Sequence, residues 1–377
     1  MRYLTAGESH GPALAGILEG FPAGVDVAPA FIEEQLRRRR TAVGRSPRQR
    51  KEKDAVSILS GLHRGRTTGA PICVLLPNAL GAVRRETGVP LPGHADLPGL
   101  LKYALPDASL PRERASARET AMRVALACFA RRLLEKLGIV IASRVVGVGR
   151  VVDSSEFRGP LKLLAERVAR APALCLDQER GRDMIAAIRK AARGGETLGG
   201  AFEVYAEGVP PGLGSYAQWD RRLDGRIAAQ FLSLNAVKAV ELGWGAGLSL
   251  LSGAQAADPL TLGPGGRARR ALNVSGGIEA GVSNGERIVV RASMRPPPGT
   301  ELPVESVDLR TGRKALISSK RSDTCAVPAA AVIGESLLAL ELAGALLEKF
   351  GPDSFIEIES RLKAWRRRCR FPFPRTR

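Results

Sequence analysis

The 377-residue chain has only three histidines, and two of them stand where proton transfer is the natural chemistry. His10 lies in Gly7-Glu8-Ser9-His10-Gly11, directly after a short strand-like run, and His94 lies in Gly93-His94-Ala95-Asp96. An imidazole beside glycine can approach a reactant closely, because the flanking backbone carries no bulk, and it exchanges protons near neutrality. The first run also spells G-x-S-x-G, the nucleophile elbow of α/β-hydrolases. Its placement argues against that reading: six residues leave no room for the strands that precede an elbow, and a histidine next to the serine is not its usual base. As a plain turn residue His10 would need no chemistry at all. His63, in Gly61-Leu62-His63-Arg64-Gly65, reads as a solvated loop residue.

Cationic side chains gather close to these histidines in sequence. Arg37 through Lys53 holds nine cations in seventeen residues. A solvated face, a nucleic-acid arm and an ordered loop around an anion all fit that run. A second group, Arg112, Arg114 and Ser116, opens the clearest helix in the chain. Ser116 followed by Glu119 fits a capping box, so a helix should start there. Ala121, Val124, Ala125, Ala127, Cys128 and Leu134 then make it apolar on more than one face and bury it, and Lys136 with Gly138 ends it. Free amides, the positive end of the dipole and guanidinium groups would meet at its start, which is the make-up of an anion site.

The elements that must position these groups alternate along the chain. Met1–Ala6 reads as a strand; Pro29–Leu36 as a helix with proline in its first turn; Ala55–Leu59 and Pro71–Leu76 as a hairpin; and 78–92 as a mobile loop. Beyond the central helix, Ile139–Val152 reads as strand, Leu161–Arg193 as largely helix, Phe202–Ala206 as strand, and Ile227–Val240 as helix. Leu262–Gly285 is glycine-rich but matches neither the P-loop nor the dinucleotide fingerprint. Ile288–Met294 reads as strand, and Pro328–Leu347 as a long apolar helix stopped by Gly351. Strands arrive in pairs between helices, in two similar halves either side of about residue 195. That order predicts an α+β fold, antiparallel sheets on helices, as one domain over 1–360 with a basic, partly disordered tail over 361–377.

Composition limits the function classes. With 44% hydrophobic residues a substantial core is available. No unbroken apolar run of about 18 residues stands out and the start lacks an apolar signal region, so a cytoplasmic protein without a membrane partner is expected. Five scattered cysteines without a CxxC pair indicate neither disulfides nor a metal site. A net charge of +19 points to anionic partners, nucleic acid or a small polyanion. With aromatics at only 5% there are few rings on which bases could stack.

Taken in order, GESHG at 7–11, RRR and GR within 38–45, SGLHRGRTTGAPI at 60–72, PGHAD at 92–96, RASARETAMRVA at 114–125, GVPPGLG at 208–214, LNAVKAVELG at 234–243, SGGIEAGVSNG at 275–285 and SSKRSDTCAVPAA at 318–330 resemble chorismate synthase. The match extends to about residue 350. It implies a β-α-β sandwich of antiparallel sheets around central helices, a homotetramer, and conversion of 5-enolpyruvylshikimate 3-phosphate, a small anionic substrate, to chorismate and phosphate. It also implies reduced FMN as an obligatory cofactor without net redox change, NADPH as an optional reductant, and no specific nucleic-acid partner.

Residue by residue, His10 resembles the histidine that protonates the leaving phosphate. His94 resembles the one that protonates reduced flavin, and Asp323 the aspartate that assists proton removal through flavin N5. Ser9, Arg39 and Arg45 match positions that hold substrate anions or a nicotinamide phosphate. Arg114, Ala115, Ser116, Asn235, Ala236, Ala280, Arg295, Pro296, Pro297, Pro298, Gly299 and Arg321 match flavin-binding positions. The chain departs from the family pattern at Leu91, where arginine is usual, at Arg295, where lysine is common, and at Asn235, where many relatives have proline. Dense arginine suits such chemistry, because substrate and flavin together bring several negative charges that would otherwise repel.

Overall fold

The computed structural model describes residues 1–46, 54–78, 86–263, 266–319 and 323–370. Two antiparallel sheets enclose a layer of helices. The first sheet runs β1-β2-β4-β3, from β1 (Arg2–Gly7), β2 (Ala13–Glu19), β3 (Ser57–Ser60) and β4 (Ile72–Pro77). The second runs β8-β9-β7-β5-β6, from β5 (Val140–Val148), β6 (Val151–Val152), β7 (Gly200–Glu207), β8 (Val237–Leu242) and β9 (Ile288–Met294). This is the expected α+β sandwich, but the two sheets divide between residues 77 and 140 rather than near 195.

Four helices matter most to the centre: α1 (Pro29–Thr41), α4 (Thr120–Lys136), α7 (Leu223–Leu232) and α8 (Val327–Phe350). Two short ones, α2 (Asp96–Tyr103) and α3 (Ser109–Arg114), lie just before α4. The run 161–193 splits into α5 (Leu161–Ala169) and α6 (Gln178–Arg193) around a turn at Pro172–Leu174. By length and composition α8 is apolar enough to cross a membrane, yet its apolar window is wholly buried inside the protein, packed on α4, α1 and the second sheet. Its Glu335 is also buried. It accepts hydrogen bonds from Arg38 on α1 (2.7 Å), Arg131 on α4 (2.6 Å) and Ser143 on β5 (2.8 Å). Burial pushes its carboxyl up, but the two arginines outweigh that and hold it down at about 2. Three elements are thereby pinned to α8 by one charge.

On α1 the buried positions are Ile32, Gln35, Leu36 and Arg39, the i, i+3, i+4, i+7 stripe of an amphipathic helix. An arginine therefore occupies a core position. The helix also runs through the whole arginine cluster to Thr41, five residues past Leu36, with Arg38–Arg40 against the negative end of its dipole.

Three sequence expectations are corrected. The helix expected over Ile227–Val240 ends at Leu232, and the chain turns at Ser233–Ala236 before β8 begins at Val237. Ala236 has φ +69, which no helix tolerates, and Val237–Leu242 pairs along β9 instead. The tail expected from 361 is helical through Arg368, as part of α9 (Phe355–Arg368). Ser354 caps that helix, Leu362 is buried, and the Trp365 indole donates to the Pro211 carbonyl (2.8 Å). Apolar contact every third or fourth residue outweighs the basic composition there; 371–377 lie outside the described residues. Finally, the glycine-rich stretch contains paired segments, Leu260–Gly263 with Arg267–Arg270 and Ile278–Glu279 with Val282–Ser283. The expected loop over 78–92 lies partly outside the described residues, which omit 79–85.

Candidate active site

The turn after β1 is set by Gly7, whose φ of +101 and contact with the Ala13 carbonyl leave no room for a β-carbon. This turn presents Ser9 and His10 to Glu113 on α3. Glu113 accepts from the Ser9 hydroxyl, from the His10 amide (2.9 Å) and from His10 Nδ1 (2.7 Å). The Glu113 carbonyl also accepts from the Ser9 amide (3.3 Å). Ser9 Oγ lies 3.3 Å from the same His10 Nδ1. A hydrolytic triad needs one ring nitrogen for serine and the other for the acid. Here both contacts fall on Nδ1, which removes the nucleophile-elbow reading.

His94 is built in a parallel way. Its Nδ1 meets Asp96 Oδ1 at 2.9 Å, and Asp96 Oδ2 accepts from the Leu91 amide (2.8 Å) and from Arg112 Nε (2.8 Å). Burial raises the Asp96 carboxyl, but the bonds from His94, Arg112 and the Leu91 amide prevail and hold it below its ordinary range. Arg112 and Glu113 are consecutive on α3, so one short helix grips both histidines.

A cationic cluster adjoins His10. Asn78 donates to the carbonyls of Glu8 (3.0 Å) and Gly11 (2.7 Å) and accepts from Arg118 Nε (3.0 Å), which is ion-paired with buried Asp54. Arg39 donates to Thr120 Oγ1 (3.0 Å) and to the Ala117 carbonyl (2.9 Å). Its Nη1 is buried without a hydrogen-bond partner among the described residues. Burial first, then the like charges of Arg45 and Arg118, push the Arg39 guanidinium down to about 9. Arg45 pairs with Asp323, which also accepts from the Ser46 amide (2.8 Å). The Gly44 carbonyl accepts from the Thr324 amide (3.0 Å), so the 44–46 and 323–325 segments lie together. Arginines crowded in the interior with a donor left over make a receptor for an anion.

The flavin-matching positions adjoin His94 in part. Arg295 donates to the Gly93 carbonyl beside His94, and its amide bonds the Ala236 carbonyl (2.9 Å). Asn235 Nδ2 donates to the Ala115 carbonyl (2.8 Å). Arg114 donates to the Thr5 (2.8 Å) and Gly7 (3.3 Å) carbonyls. Pro296–Gly299 continue from β9, and the Pro297 carbonyl takes the Thr197 hydroxyl (2.7 Å). Ala280 sits with φ +48 in the turn between Ile278–Glu279 and Val282–Ser283. Arg321 lies outside the described residues, as does 47–53 of the basic run.

The anion site read from the start of the central helix needs correction. Ser116 caps only a 3₁₀ turn, accepting from the Arg118 amide (3.3 Å), while Glu119 turns to Thr5 (2.8 Å) and Arg123 (3.0 Å) instead of reaching back. A charged partner four residues on attracts that carboxylate more than a neutral amide does. Arg112 and Arg114 brace Asp96 and β1. Arg39, far upstream, instead keeps a buried donor without a hydrogen-bond partner among the described residues. Glu113, Asp96, Asn78, Asp54 and Arg118 were not singled out from sequence; Asp96 and Arg118 stood inside the quoted motifs, and Glu113 directly precedes one. A separate cleft of about 1130 Å³, lined by Arg267, Arg270, Trp365 and Arg366 among others, contains none of the expected site residues.

Antiparallel sheets around buried helices, with two carboxylate-held imidazoles and a guanidinium cluster adjoining His10, define an α+β enzyme with cationic and proton-exchanging side chains at its candidate site. The chain belongs to the chorismate synthase family, whose sequence profile matches residues 1–347. It is 47% identical over 372 residues to the chorismate synthase of Desulforudis audaxviator, covering 95% of each chain. It is 44% identical over 379 residues to that of Desulforamulus reducens, covering 97% of this chain and 98% of the relative. A crystal structure of chorismate synthase superposes with a TM-score of 0.80 at 38% identity, over 97% of this chain and 96% of that one.

Proposed function

We propose that this protein catalyses the anti 1,4-elimination of phosphate from 5-enolpyruvylshikimate 3-phosphate to give chorismate, with reduced FMN as a cofactor that undergoes no net redox change. The observation that carries the reading is Arg39, a wholly buried guanidinium with an unpartnered Nη1 beside Arg45 and Arg118. A substrate bearing a phosphate and two carboxylates supplies the acceptor that Arg39 Nη1 lacks among the described residues.

In this reading Arg39, Arg45 and Arg118 bind the substrate anions and fix their orientation. His10, held by Glu113, delivers a proton to the departing phosphate. Asp323, kept in place by Arg45 and the Ser46 amide, assists removal of the proton lost from carbon. Arg114, Ala115, Ser116, Asn235, Ala236 and Arg295–Gly299 would hold the flavin. The donors fit such a group: Arg295 and His94 meet at Gly93, and Asn235 and Ala236 join them to Ala115 through the contacts above. Reduced flavin, when bound, supplies the electron density that eases phosphate loss. His94 holds a proton at that rim.

With Arg39 and Arg45 given to the substrate, the reading takes reduced flavin from an outside reductant. Leu4 and Ile17, cross-strand partners on the first sheet, are 62% and 42% exposed, which supports burial of that face in a homotetramer. Anaerobic incubation with 5-enolpyruvylshikimate 3-phosphate and photoreduced FMN should release chorismate and phosphate; no product under these conditions refutes the proposal. NADPH as sole electron source in air should support no turnover.

A further inference from the structure

The reading above needs two imidazoles that exchange protons, and the structure specifies which nitrogen of each does so. In both, Nδ1 is taken by a shielded carboxylate: His10 by Glu113, whose side chain is 9% exposed, and His94 by Asp96, which is fully buried. A carboxylate only accepts, so each Nδ1 must carry the hydrogen and donate it.

The two carboxylates are themselves tied down. Asp96 takes Arg112 and the Leu91 amide, and Glu113 takes the Ser9 hydroxyl and the His10 amide. Neither is able to turn away without leaving half-buried donors unsatisfied. Arg112 and Glu113 are adjacent residues of α3, so displacement of that one helix would disturb both rings. His63 has no such arrangement; it stands exposed in a two-residue hairpin.

We propose that Glu113 and Asp96 are positioning residues that fix His10 and His94 as Nδ1–H tautomers, so that Nε2 is the reacting nitrogen of both, and that α3 holds the two rings in a common frame. The carboxylates do not touch the reactants. They set which nitrogen meets them.

Because the chain has three histidines, ring-¹⁵N-histidine labelling gives a spectrum that can be read site by site, with His63→Gln identifying the loop signal. At a pH where the rings are neutral, His10 and His94 should each show a protonated Nδ1 and a bare Nε2. An Nε2–H tautomer at either ring overturns the assignment. Glu113→Gln should change the ring signals of His10 while leaving those of His94, and Asp96→Asn should do the reverse; unchanged signals at the targeted ring also overturn it.

In turnover, Glu113→Gln should lower kcat by ~10²- to 10⁴-fold with the substrate KM little altered, the range for losing one proton-transfer group. A matching rise in KM with kcat preserved would mean Glu113 serves binding and would reject its positioning role. The spectra need no activity. Nδ1–H tautomers in a protein without turnover would therefore refute the proposed function and leave the tautomer assignment standing.

Discussion

Replacing Arg39 with methionine, of similar length but uncharged, separates a binding arginine from a structural one. Burial pushes its guanidinium from the ordinary arginine range down to about 9, a sign of how poorly the fold tolerates that charge. At 1.36 kcal/mol per pH unit this corresponds to roughly 5 kcal/mol of destabilisation, present wherever both folded and unfolded chains are protonated, which includes pH 7. Against this stand two hydrogen bonds, to Thr120 and Ala117, worth about 1.5–3 kcal/mol each for a charged donor. Thr120 Oγ1 itself donates to the Ala117 carbonyl (2.6 Å), so neither acceptor is stranded when the arginine goes. The two contributions nearly cancel, and urea unfolding of the ligand-free Arg39→Met protein should give a stability within ~2 kcal/mol of wild type. Substrate binding should weaken about 10- to 150-fold, the loss of one charge-assisted interaction of ~1.5–3 kcal/mol. Titration calorimetry with 5-enolpyruvylshikimate 3-phosphate reads the second quantity directly. A variant that loses ~4 kcal/mol or more of stability yet binds substrate normally would refute the reasoning, because Arg39 would then be a brace.

Glu335→Gln should cost about 3–5 kcal/mol by leaving Arg38 and Arg131 without their buried partner, read as a lower urea midpoint. Its carboxyl is depressed in the fold from 4.5 to about 2, so its stabilisation is complete above about pH 4.5 and drains away as pH falls toward 2. Wild type should lose stability across that window faster than Glu335→Gln, and parallel acid-unfolding curves would contradict the assignment. Ala236→Gly should be neutral or stabilising by up to ~1 kcal/mol and Ala236→Val clearly destabilising, because φ +69 suits glycine and punishes a β-branched side chain; equal unfolding midpoints for the two would contradict this. Leu4→Lys, placing a charge on the exposed face of the first sheet, should lower the assembly state in analytical ultracentrifugation, and an unaltered sedimentation coefficient would remove that face from the interface.

The sequence alone determined most of what is periodic or local. Alternation in Ile288–Met294 and the apolar run ending at Gly351 gave β9 and α8 almost to the residue, because strand and helix periods are written in consecutive side chains. The ordered motifs likewise pointed to the chorismate synthase family before any coordinates. Tertiary structure decided the rest where a distant partner outbid a local preference. Val237–Val240 left a helical pattern because β9 offered a strand partner; Glu119 left its capping box for Thr5 and Arg123; and 361–370 folded because Leu362 and Trp365 found the body of the protein. Arg39 shows the limit most plainly. Its place on the stripe with Ile32 and Leu36 was there to be read, but the meaning of a buried arginine depends on what faces it. Arg45 faces it from just past the end of α1 and Arg118 from far along the chain, and charge acts through space, not along the sequence.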